Sequence, residues 1–74
     1  MSVRYAVVFE KAASNWAAYV PDLPGCMSTG ASLQETERNI REAIEGHLET
    51  MREFGEVIPP PTTVARDVEI RAAA

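Results

Sequence analysis

One stretch, residues 32–55, constrains the chain more than any other, because its pattern alone is long and periodic enough to specify a helix. Ser32 stands three positions before Glu35, a capping box in which each side chain satisfies a free backbone N–H at the helix start. At 100° per residue Leu33, Ile40, Ile44, Leu48, Met51 and Phe54 fall on one stripe flanked by Ala43. Arg38, Arg41, Glu42, Glu45, Glu49 and Arg52 share the opposite side. Gly55 ends the run, since glycine takes the left-handed conformation beyond a helix C-terminus most cheaply. A helix of about 22 residues runs roughly 33 Å and gains most of its stability from packing, so the rest of the chain must cover its apolar stripe.

The flanking sequence supplies strands for that purpose. Residues 3–10 alternate Val3, Tyr5, Val7 and Phe9 against Arg4, Ala6, Val8 and Glu10, the period-two pattern of a first strand. Residues 11–15, with Ser14 and Asn15, read as a hairpin loop leading to an antiparallel second strand at 16–20. Pro21 and Pro24 lack backbone N–H groups, and Pro24-Gly25 suits the centre of a type II turn, so 21–25 leaves the sheet as a rigid loop. Residues 26–31 return as a short third strand, directly before the helix. Pro59, Pro60 and Pro61 form a stiff extended spacer, and residues 64–70 alternate Val64, Arg66, Val68 and Ile70 against Ala65, Asp67 and Glu69 as a fourth strand. Residues 72–74 read as frayed tail. The expected fold is therefore α+β, ordered β-β-β-α-β, a small sheet with one long helix packed on one face. Ala6, Val8 and Tyr19 then point to the other face, which pairing with another chain would bury.

Size and charge bound the function. Seventy-four residues make one domain, 1–74, with no room for a separate DNA-binding domain. A core of this size rarely supplies more than roughly 3–5 kcal/mol, which favours self-association as a dimer or tetramer. A single cysteine forms no internal disulfide, and with a single histidine it falls short of a structural zinc site, which fits a reducing, cytoplasmic setting. No signal segment opens the sequence, and no apolar run approaches the 18 or so residues of a membrane span, so a soluble protein without membrane association is expected. The net charge of −4 argues against direct nucleic-acid binding and suits a basic protein partner.

The hexapeptide Pro21-Asp22-Leu23-Pro24-Gly25-Cys26 follows Trp16-Ala17-Ala18-Tyr19-Val20 and precedes Ser28-Thr29-Gly30 and the cap at 32–35. With Asn39-Ile40-Arg41-Glu42-Ala43-Ile44 and the exit at 55–60, it resembles the amino-terminal domain of HicB-type antitoxins over nearly the whole chain. The resemblance implies a partial, catalytically degenerate ribonuclease H-like fold that binds and masks a small basic, mRNA-cleaving toxin of the HicA type. It implies neither cofactor nor metal. The residues expected to meet the partner are Tyr19, Asp22, Leu23 and Pro24, with Leu23 held outward between two prolines as anchor and Asp22 as counter-charge. Spacing alone also allows a plainer role, a rigid connection whose leucine caps the core.

Other side chains offer weaker chemistry. The acidic helix face could steer a basic toxin, although Glu37 with Arg41 and Arg38 with Glu42 are also ordinary i,i+4 pairs. His47 falls within the apolar stripe, as a core histidine does, and a Cys26–His47 nucleophilic pair lacks an orienting third group. Gly46, with Asn39, Ala43 and Thr50, makes a small-residue edge on the helix. An active ribonuclease H-like site needs several carboxylates converging on two magnesium ions, and Glu10, Asp22 and the helix acids are not expected to converge. A metal-dependent nuclease and a stand-alone oligomerisation or small-ligand module are the competing expectations.

Overall fold

Period-two alternation produces three short strands, β1 (Val8–Lys11), β2 (Trp16–Tyr19) and β3 (Met27–Gly30), joined as an antiparallel meander in the order β1-β2-β3. The computed structural model describes residues 2–73. One helix, α1 (Leu33–Glu53), follows β3 and packs chiefly on β3 and β2, giving the α+β class expected, a three-stranded sheet with a long helix on one face.

The helix begins and ends as its sequence requires. Ser32 Oγ accepts from the Glu35 N–H at 3.1 Å, and the Glu35 carboxylate reaches back to the N–H of Ala31, one residue earlier than an ideal capping box would place it. At the other end the Gly55 N–H donates to the Arg52 carbonyl and the Glu56 N–H to the Met51 carbonyl, the paired bonds of a Schellman motif.

The core gathers Ala18, Val20, Leu23, Cys26, Ile40 and Leu48, with Phe9, Ala43, Ile44, Met51 and Ile58 packed partly against it. The apolar stripe is thus buried only in its middle: Leu33 is 47% and Phe54 74% exposed. The reason is length. Twenty-one helical residues span about 31 Å and a four-residue strand about 13 Å, so the rod overhangs its sheet at both ends. Thr36, not part of the stripe, is fully buried where α1 starts over β3, and its hydroxyl is satisfied by donating to the Ser32 carbonyl at 2.7 Å.

Two expectations are corrected. The first strand covers residues 8–11 instead of 3–10, because β2 stops at Tyr19 and the chain beyond it turns away, leaving residues 3–7 no ladder to join. The fourth strand does not form: residues 56–73 contain no helix or strand. The prolines at 59–61 hold this segment apart from the sheet, and a strand needs a neighbour to satisfy its backbone groups.

Candidate functional site

The loop between β2 and β3 is built from two successive turns. The Leu23 N–H donates to the Val20 carbonyl and the Cys26 N–H to the Leu23 carbonyl, each at 3.0 Å, so Pro21 and Pro24 both occupy the second position of a turn, where their fixed φ fits. Gly25 has φ +84°, the left-handed geometry that the third position of a type II turn demands. The Val20 N–H donates to the Cys26 carbonyl at 3.1 Å and closes the base.

This double turn drives Leu23 inward. Leu23 is 0% exposed, seated with Ala18, Val20, Ile40 and Leu48, so the expected outward anchor is instead a plug in the core. The prolines preorganise the loop, but they preorganise it for folding. Asp22 is likewise engaged within the chain. Its Oδ2 accepts from the Thr62 and Thr63 N–H groups at 2.9 and 3.0 Å, and its Oδ1 from both threonine hydroxyls at 3.0 and 2.8 Å. Those bonds, the Thr63 N–H foremost, lower its pKa to about 2. They also fill the four acceptor positions of the carboxylate, so Asp22 clasps the C-terminal segment and is not a free counter-charge. A second tether lies nearby in sequence, where the Tyr5 hydroxyl donates to the Pro59 carbonyl at 2.6 Å.

Tyr19 and Pro24 remain exposed. Strand register places Tyr19 between Val8 and Met27 in one row across the sheet, on the face turned away from α1, while Ala18 points to the helix and is buried. Tyr19 is 41% and Met27 68% exposed, so this row presents two large apolar side chains to the outside. The next row on the same face pairs Glu10, Ala17 and Thr29. Sequence reading found Tyr19 and the open face but missed Met27, whose place follows only from the register.

Catalytic chemistry finds little purchase. Cys26 and His47 line one shallow depression with Gly46 and Met51. Cys26 is buried, however, and desolvation pushes its thiol pKa up, the opposite of what a thiolate nucleophile requires. Among the described residues no group of three or more His, Cys, Asp or Glu side chains is placed to hold a metal ion. Among the described residues no helix is long and apolar enough to cross a membrane.

Comparison with known proteins agrees with this fold. The chain is 42% identical over 55 residues to a 14.9 kDa protein from the rep-hol intergenic region of Haemophilus phage HP1, a match covering 74% of this chain and 41% of the phage protein. It is 51% identical over 41 residues to a UPF0150 protein of Helicobacter pylori, covering 55% and 57% of the two chains. The chain therefore spans about half the length of these two relatives. A UPF0150 protein of Thermoplasma acidophilum is 34% identical over 58 residues, covering 77% of this chain and 84% of the relative. Among solved structures, a chain of the HicA3 and HicB3 toxin-antitoxin complex superposes with a TM-score of 0.69 at 28% identity, over 80% of this chain and 70% of that one. A family model described as the HicB-like antitoxin of bacterial toxin-antitoxin systems matches residues 5–72, and the chain belongs to that family.

Proposed function

We propose that this chain is a cytoplasmic, non-enzymatic antitoxin domain that neutralises a small basic, mRNA-cleaving toxin of the HicA type by covering its active surface. The observation that carries the reading is the structural likeness, over 80% of this chain, to a chain of the HicA3 and HicB3 complex. The open sheet face is the contact surface, with Tyr19 and Met27 as its apolar centre and Pro24 a further contact from the loop beside it. Aromatic and methionine side chains suit such a centre because they bury much area for little lost rotamer freedom or adapt to an uneven partner. Asp22 contributes indirectly, by fixing the loop and the C-terminal segment together. The exposed acids of α1, Glu37, Glu42, Glu45, Glu49 and Glu53, steer a cationic partner and raise its association rate more than its affinity. The domain also self-associates, because one chain leaves Tyr19, Met27, Val64, Val68 and Ile70 exposed. No cofactor and no direct contact with nucleic acid enter this function.

Co-expression with a small basic toxin of the HicA type tests the proposal. Growth is rescued and a complex survives gel filtration, while Tyr19→Lys abolishes both without lowering the melting temperature of the domain. Failure of the unaltered chain to rescue growth or to form a complex would refute the antitoxin reading, and magnesium-dependent cleavage of RNA or RNA–DNA hybrids by the purified protein would establish the nuclease alternative.

A further inference from the structure

Two features are left without a partner by the chain that carries them. The first is a groove of about 540 Å³ between β1 with its N-terminal approach and α1, walled by Tyr5, Val7 and Phe9 on one side and Ile40, Ile44 and Leu48 on the other. It lies open because α1 packs chiefly on β3 and β2, and because the strand order leaves one edge of β1 unpaired. Proteins ordinarily shield such an edge with proline, clustered charge or another segment, since its free N–H and C=O groups template pairing. Residues 3–9 carry no proline and one charge, Arg4.

The second feature is the C-terminal arm. Val64, Val68 and Ile70, all on one side of an extended segment, are 72%, 76% and 78% exposed. The chain extends 54 Å along its longest axis and has a radius of gyration of 14.7 Å, where a compact chain of this length has about 11 Å. The arm departs from a fixed point. Prolines 59–61 stiffen its root, the Tyr5–Pro59 bond tethers it, and the Asp22 clasp holds Thr62 and Thr63. With its root held in this way, the arm lies clear of the groove of its own chain.

We propose that the arm of each chain, residues 64–70, adds as a strand to the free edge of β1 in a second copy, seating Val64, Val68 and Ile70 in that copy's groove and accepting the second arm in return. The missing fourth strand is thereby supplied in trans. A second copy is the fitting occupant because every chain carries both the strand and the edge, so one exchange implies its mirror and closes as a two-fold dimer. Charge agrees. Arg66 and the flanking Arg71 offset Asp67 and Glu69 over residues 64–71, and Arg4 and Arg41 offset Glu37 and Glu45 along the groove. Both surfaces are neutral in sum, so docking gathers no like charge although the chain as a whole carries −4.

This inference rests on the self-association proposed above and not on the toxin. The full chain is compared with its Val68→Glu/Ile70→Glu double variant by sedimentation equilibrium, and amide exchange of residues 64–70 is followed as protein concentration rises. Both substituted side chains are exposed in the single chain, so the variant keeps the wild-type helical signal. The expected result is a dimeric wild type, a monomeric variant, and arm amides whose protection grows with concentration. A dimer that persists in the variant overturns strand exchange while leaving self-association standing, and a wild type that is monomeric at every concentration overturns both. Arm protection independent of concentration shows the arm folded onto its own groove and overturns the exchange.

Discussion

Replacing Leu23 by alanine separates the two roles that its position between prolines suggests. The side chain is fully buried, and the loop around it is closed by the Val20–Cys26 bond and two proline turns, so the walls have little freedom to collapse into the space left behind. Leucine-to-alanine changes in cores cost about 2–5 kcal/mol, least where the site relaxes, which puts this one at about 3–4 kcal/mol. A domain of this size has roughly 3–5 kcal/mol in all, so the variant stands at the margin of unfolding. At about 4–8 °C per kcal/mol, its melting temperature falls by about 12–30 °C. Thermal unfolding followed by circular dichroism at 222 nm measures this, with protomer concentration fixed so that self-association contributes equally to each sample. Leu23→Met, which conserves volume, loses less than about 1.5 kcal/mol and serves as the control. If Leu23→Ala melts within a few degrees of the wild type, the leucine is not a core plug and the reasoning from its burial is wrong.

The remaining predictions concern the clasp and the close approach of α1 to β3 at Gly30. A methyl group at Gly30 would meet the Thr36 backbone nitrogen at 2.8 Å, so Gly30→Ala must push the start of α1 off β3 and lowers stability by about 1–3 kcal/mol; an unchanged urea midpoint would contradict this. Asp22 has its pKa lowered to about 2 from an ordinary 3.8, so its contribution is complete above pH 4 and is lost as pH falls through about 2. The amide resonances of Thr62 and Thr63 therefore titrate with a midpoint near 2, and in Asp22→Asn that transition disappears. A midpoint near 4 would mean that the four bonds do not hold in solution.

How far the sequence could be read depended on whether an element carries its own partners. The helix does: Ser32, Glu35 and Gly55 set its ends from within a few residues, and both caps are found where the pattern puts them. The β2–β3 loop was half legible. Proline and glycine positions announced two turns, but nothing local says which way the residue between them faces, and Leu23 is drawn inward by a hydrophobic cluster assembled from β2 and α1. Residues 64–70 show the converse case. Their alternation is a genuine strand signal, yet a strand is defined by a neighbour that no single chain's sequence identifies, so pattern and structure disagree without either being in error. Thr36 and Gly30 were silent, and Asp22 was singled out for the wrong role, because their contacts are fixed by where β3, α1 and the C-terminal segment meet.

These placements move the burden of partner recognition. The hexapeptide at 21–26 gives the chain its family likeness, yet its prolines shape turns, its leucine fills the core, its aspartate ties down the C-terminal segment and its cysteine is buried. Every one of those tasks serves the fold, leaving Pro21, Pro24 and Gly25 as the motif's exposed members. On the antitoxin function proposed above, specificity for the partner is assigned to side chains that register, not motif, brings together, the row of Val8, Tyr19 and Met27. That face and the groove beside β1 lie on opposite sides of the sheet, because Val8 and Phe9 are neighbours in a strand and point to opposite faces. A second copy exchanging arms at the groove therefore leaves the open face free, and the two associations can coexist on one domain. The discriminating measurement is the stoichiometry of the complex: two antitoxin chains with two toxins if both surfaces act together, and a one-to-one pair if the toxin displaces the arm.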